Sequence, residues 1–147
     1  MAKSYSKIWI HALFGTKDLL PLINETLEPV LYRFIKKELE ESFNTKIKII
    51  NGIENHTHAL FLLNPNYAIT EILKTMKAGS SYWINHNNLT DSKFSWEAGY
   101  SAYSVSESNV GNVEKFIKNQ KSHHKKISFK EEYQLLINKH GLIYENR

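Results

Sequence analysis

The spacing of hydrophobic positions changes along the chain, and the changes mark out its elements. Lys7–Phe14, KIWIHALF, alternates and is rich in β-formers, which predicts a strand. Thr16–Pro21 connects it to a helix over Glu25–Phe43, where Leu27, Leu31, Phe34, Ile35, Leu39 and Phe43 fall at helical spacing with lysines and glutamates between them. Lys46–Ile50 reads as a second strand, Asn51-Gly52 as a turn or bulge, and Thr57–Leu63 as a third strand stopped by Asn64-Pro65-Asn66. Thr70–Ile84 is predicted helical, with Ile72, Leu73, Met76 and Trp83 among its apolar positions and Thr70 as its N-cap. Gly99–Val105 is a fourth strand. Helices follow over Asn109–Lys125 and Lys130–Lys139, and His140-Gly141 closes the last with a C-cap signal. The order β-α-β-β-α-β plus two helices predicts the α+β class, a ferredoxin-like antiparallel sheet backed by helices. Neither a repeat nor a low-complexity linker interrupts residues 1–147, so one domain is expected.

Composition narrows the chemistry. With no cysteine, disulfides and thiolate metal sites are excluded. The first residues, MAKSYSKIWIHALF, hold too short an apolar run for a membrane span and no cleavage-site pattern, so a cytoplasmic protein away from the membrane is expected. The net charge of +4 decides little, but its distribution matters. Lysines 115, 118, 121, 125, 126 and 130 fall in a stretch with no acid, a patch suited either to phosphate contacts or to a solvated helix face.

The most pointed chemistry is His56-Thr57-His58. Residues i and i+2 of a strand project from one face, so both imidazoles could share a cation. Two ligands are an incomplete site. Gln120 offers a third, one helical turn beyond Phe116 on the same face, and its oxygen would admit Mn²⁺ or Mg²⁺ beside zinc or other transition metals. His123 and His124 are lesser candidates for that third ligand and read rather as extensions of the basic surface.

Four blocks then carry a resemblance: NGIENHTHALFLL, KTMKAGSSYWIN, FSWEAGYSAYSVSESN and VEKFIKNQKSHHKKISFKEEYQLLINKHGLIY. Together they resemble the single-tyrosine HUH transposases of small bacterial insertion sequences that move as single-stranded DNA, a group that includes REP-associated-like transposases. The last block is the most specific, with the form Y-I-x-N-Q, then basic and histidine residues, then F-K-E-E-Y. The resemblance implies that His56, His58 and Gln120 hold Mg²⁺ or Mn²⁺, and that a tyrosine attacks the scissile phosphate to leave a 5′-phosphotyrosine link and a free 3′-hydroxyl. It implies a homodimer whose sheets join and whose tyrosine helices complete each other's sites. Hairpins at the element ends would be bound, with Lys115, Lys118, Lys121, His123, His124, Lys125 and Lys126 meeting DNA. Tyr82, Trp83, Trp96, Tyr100 and Tyr103 are aromatic and so able to stack on bases, although core positions suit most of them better.

The chain departs from the pattern twice. Thr57 stands between the histidines where a hydrophobic residue is usual, and Phe116 stands where the family has its tyrosine. Tyr103 and Tyr133 lack the i−4 relation to Gln120. The reading is a transposase that keeps DNA binding but lacks its nucleophile. The alternatives are a domesticated hairpin-binding regulator and an RNA-binding module of the same element order.

Overall fold

A computed structural model describes residues 2–143. Met1 and the end of the last resemblance block, from Tyr144, lie outside the described residues. Strands β1 (Trp9–Gly15), β2 (Ile47–Ile53), β3 (His56–Leu62) and β4 (Ser101–Val105) form one antiparallel sheet in the order β2-β3-β1-β4. Helices α1 (Leu27–Phe43) and α2 (Ile69–His86) form the crossovers. After β4 come α3 (Val110–Lys118), the short α4 (Gln120–His123) and α5 (Phe129–Lys139). This is the expected α+β ferredoxin-like arrangement with added C-terminal helices.

The alternation within each strand sends side chains to two different layers. Ile10, Ala12 and Phe14 of β1 join Ala59 and Phe61 of β3 in a core with Leu31, Ile35 and Leu39 of α1 and Ile72, Leu73 and Met76 of α2. The opposite face carries Trp9, Leu13 and Leu60 under the C-terminal helices, in smaller apolar clusters with Val110, Ile117, Phe129 and Ile137. Covered on both sides, β1 and β3 are buried almost throughout. Asn24 Oδ1 accepts the Leu27 N–H and opens α1, while Asn44 in the left-handed region (φ 48°) ends it. Gly141 (φ 74°) ends α5 as the sequence signals, with the Leu142 N–H donating to the Ile137 carbonyl.

Three local expectations are corrected. Asn51-Gly52 is not the turn: both residues lie inside β2, opposite His58 and Thr57, and the hairpin reverses at Glu54-Asn55. Gly52 is required there by close approach, since a Cβ at this position would sit 2.1 Å from the His56 carbonyl oxygen. Thr70 is not the cap of α2; Ala68 holds the cap position without a side-chain bond, and the Thr70 hydroxyl pairs with that of Tyr100. The predicted Asn109–Lys125 helix breaks at Asn119. There the Asn51 amide donates to the carbonyls of Ile117 (3.0 Å) and Lys118 (3.2 Å), satisfying acceptors at the helix end from outside it.

Gly52→Ala tests the close approach. The blocking atom is backbone, so β2 and β3 must shift, and a loss of about 1–3 kcal/mol in urea-denaturation stability is expected. A loss within about 0.5 kcal/mol, the range of ordinary surface substitutions, would mean that the hairpin has slack.

Candidate metal and nucleic-acid site

The layer between sheet and C-terminal helices is polar at one end of β3. His56 and His58 project side by side, ring centroids 5.0 Å apart, and both are fully buried. Phe129, the first residue of α5, stacks on His56 at 3.9 Å. The Ser128 hydroxyl accepts from the Glu131 N–H and caps that helix. One residue further, α5 turns Glu132 inward, 2% exposed.

Glu132 is the hub of the cluster. His58 donates from Nε2 to Oε1 at 2.7 Å, and the Gln120 amide donates to Oε2 at 3.0 Å. The Nε2 atoms of His123 and His124 each lie 2.9 Å from Oε2. Burial works against the carboxylate's charge, but the bonds from His124 and His58 outweigh it and hold the carboxyl well below its usual range. The histidines of the sheet behave oppositely. Burial, reinforced by His58, lowers His11 and His56 to about 3, and burial likewise lowers His58. His124 is raised, its contacts with Glu132 outweighing its burial. His11, on the same face of β1, places Nε2 2.8 Å from His58 Nδ1 and stacks on that ring.

His56, His58 and Glu132 could hold a divalent cation, their ligand atoms lying within 4.8 Å of one another. The hydrogen bonding fits such an ion. Both ring nitrogens of His56 face oxygens, Nδ1 at 2.9 Å from Asn55 Oδ1 and Nε2 at 2.8 Å from Gln120 Oε1; a neutral ring carries one N–H, and with it on Nδ1 the Nε2 lone pair faces Gln120 Oε1. That amide cannot turn its nitrogen to His56 without losing its bond to Glu132. Two lone-pair atoms face each other, as neighbouring ligands do on a cation.

Every one of these donors belongs to a single chain. Phe116 lies at the rim. Its ring meets those of His58, His11 and His123 edge-on, at 5.6, 6.2 and 5.2 Å. Tyr103 stacks on His140 at 4.0 Å, and the Tyr133 hydroxyl accepts from Ser101.

The basic stretch divides. Lys115, Lys118, Lys125 and Lys126 are exposed. His123 and His124 turn inward to Glu132 instead of extending the surface, because a buried carboxylate draws the nearby imidazoles. Lys121 is tied down, with Nζ donating to Glu28, Asn51 and the Gly52 carbonyl. Of the aromatics, Trp83 stacks on Phe34, Trp96 packs on Phe14 and Phe94, and Tyr103 is buried, while Tyr82 and Tyr100 reach solvent.

Sequence reasoning passed over Glu132 and His11. The available signals were an acid three residues after Phe129, on the buried stripe of α5, and a histidine within an apolar strand. Among the described residues no helix is long and apolar enough to cross a membrane.

The family model described as "Transposase IS200 like" matches residues 4–120. A solved candidate transposase from Deinococcus radiodurans is similar in fold, with TM-score 0.62 and 17% identity over 82% of this chain and 98% of that one. A REP-associated tyrosine transposase, solved bound to a REP hairpin, gives TM-score 0.64 and 10% identity over 84% of this chain and 73% of its own. At such identities these two likenesses are of fold alone. No curated protein matches the chain.

The buried histidines carry a pH signature in the chelated protein. The unfolded chain protonates His11 and His56 near 6.5 while the folded chain resists until about 3, so their contribution to stability is complete above pH 6.5 and falls with acid through that window. Glu132 adds in the same sense below its usual carboxylate range. In urea titrations at pH 7.5, 6 and 4.5 in EDTA, His11→Phe should flatten the loss by about 1.4 kcal/mol per pH unit. An unchanged slope would mean that His11 protonates in the fold.

Proposed function

The chain belongs to the IS200-like transposase family, and from that premise we propose that it binds the hairpin-bearing single-stranded ends of a mobile element with a divalent cation, Phe116 standing where the family's nucleophilic tyrosine stands. The observation that carries this reading is the convergence of His56, His58 and Gln120 beside the Phe116 ring, although Gln120 lies 64 residues from His56 in sequence. His56, His58, Gln120 and Glu132 would hold the ion, Mg²⁺ or Mn²⁺ by the family's usage. When bound, it supplies polarisation of a scissile phosphate and stabilises the charge that develops there.

The chain's own residues divide the remaining work. A cation on His58 Nε2 requires the ring's proton at Nδ1, and neutral His11 is placed to accept it at Nε2. Exposed Lys115, Lys118, Lys125 and Lys126 supply phosphate contacts around the site. In the family reaction the tyrosine oxygen gives up its proton and bonds to phosphorus. The bond from phosphorus to the 3′ oxygen breaks, and that oxygen leaves as a hydroxyl. Phe116 has no oxygen to give, so the chain holds a DNA end without opening it. A homodimer is compatible through β4, an edge strand that among the described residues pairs only with β1 and could take the sheet of a second copy on its outer side. The same Phe116 favours a domesticated hairpin-binding regulator as the second reading, distinguished by the absence of hairpin ends flanking its gene.

Cleavage of a single-stranded hairpin end, followed as a covalent adduct on a denaturing gel, tests the proposal. The chain as it stands should bind and give no adduct. Phe116→Tyr should give one that depends on Mn²⁺ and disappears with His58→Ala. A Phe116→Tyr protein that binds the hairpin with Mn²⁺ and still forms no adduct would refute the assignment of position 116.

A further inference from the structure

We propose that the cluster holds two divalent cations bridged by Glu132, with a second position formed by His123, His124 and Glu132 Oε2. The proposal deepens the reading of the first cation at His56 and His58 and rests on it.

The two oxygens of Glu132 face different histidine pairs. Oε1 lies 2.7 Å from His58 Nε2 and 3.6 Å from His56 Nε2, and Oε2 lies 2.9 Å from the Nε2 atoms of both His123 and His124. Each pair with its oxygen forms a group able to hold a metal, and the groups share only the carboxylate. A carboxylate bridging two ions keeps them about 3.5–4 Å apart, the spacing of two-metal phosphodiester sites.

In the second pair both Nε2 atoms converge on one oxygen, Glu132 Oε2. His124 commits Nδ1–H to the Ile127 carbonyl at 2.9 Å. Its other nitrogen then faces two oxygens, Glu132 Oε2 at 2.9 Å and Gln120 Oε1 at 3.0 Å. His123 Nε2 is buried and, despite its 2.9 Å approach to the carboxylate, makes no hydrogen bond. A cation between these atoms would take the place of the His124 proton and give His123 Nε2 a partner. Two imidazoles and one carboxylate suit a transition-metal dication such as Mn²⁺ better than Mg²⁺.

Position gives the second site a use. His123 and Glu132 line an open cavity of about 390 Å³ together with Phe116, His11 and Lys139. An ion at His123 and His124 keeps an open side toward that cavity, where a DNA phosphate oxygen can reach it.

Counting Mn²⁺ bound to the chelated full chain by EPR of the free ion, with calorimetry in parallel, tests the proposal. Two equivalents are expected, with an exchange-coupled spectrum at saturation. His123→Gln with His124→Gln should retain one uncoupled equivalent. One equivalent in the unsubstituted chain, removed by His56→Ala and indifferent to the double change, overturns the second site and leaves the first standing. One equivalent lost in both variants means a single shared ion and also overturns it. No binding at all defeats both readings. Should the double variant fail to fold in EDTA, stoichiometry and coupling in the unsubstituted chain decide.

Discussion

The C-terminal half of the molecule is organised around one buried negative charge. A carboxylate removed from water is tolerable only when fully partnered, and Glu132 obtains its partners from three elements: His58 from β3, Gln120, His123 and His124 from α4 and the turn after it, with α5 supplying the carboxylate itself. Each bond fixes one element relative to another. The break at Asn119 serves the same end. Ended by the Asn51 amide, α3 gives way to a segment that turns Gln120 and both histidines inward. The Ser128 cap then starts α5 where Phe129 can stack on His56 and Glu132 can reach the histidines.

A polar cluster this dense is compatible with a stable fold because the sheet separates it from the main core. Residues of alternate parity on β1 and β3 face α1 and α2: Ile10, Ala12, Phe14, Ala59 and Phe61 are apolar, and the buried Thr57 lies on the same side. The other parity carries His11, His56 and His58 beside Trp9, Leu13 and Leu60. One strand thus serves two layers, and a change of donor on the site face leaves packing against α1 and α2 intact.

The parts legible in the sequence are those encoded locally. The helical period of Leu27 to Phe43 and the alternation in KIWIHALF survive almost unchanged, because the side chains that set the period are the ones buried. The His-x-His pair is legible for the same reason, and Gln120 through its one-turn offset from Phe116. What escaped depends on distant partners. Asn51-Gly52 carries a turn signal, but its conformation is fixed by the β3 backbone and its function by α3 and Lys121, more than 60 residues away. An acid in the first turn of a helix ordinarily complements the dipole, which hides a carboxylate that serves as a hub. His123 and His124 look basic in a lysine-rich run until the buried charge beneath them is known.

The separation of layers also explains how Phe116 can stand at the rim without disturbing anything. The ring packs in the apolar cluster of Trp9, Leu60, Val105, Val110 and Ile117 and meets three imidazoles edge-on, contacts that a phenyl group makes in full. No hydrogen bond in the donor cluster requires a hydroxyl at position 116. His58 is held by His11 and Glu132, His56 by Asn55 and its stacking on Phe129, and Gln120 by Glu132. On the proposed reading, the machinery that holds ions and the atom that breaks the bond are therefore structurally independent. The donor set is maintained by a buried carboxylate and the ring by hydrophobic packing, so the loss of one oxygen removes a reaction step and leaves the architecture for binding intact.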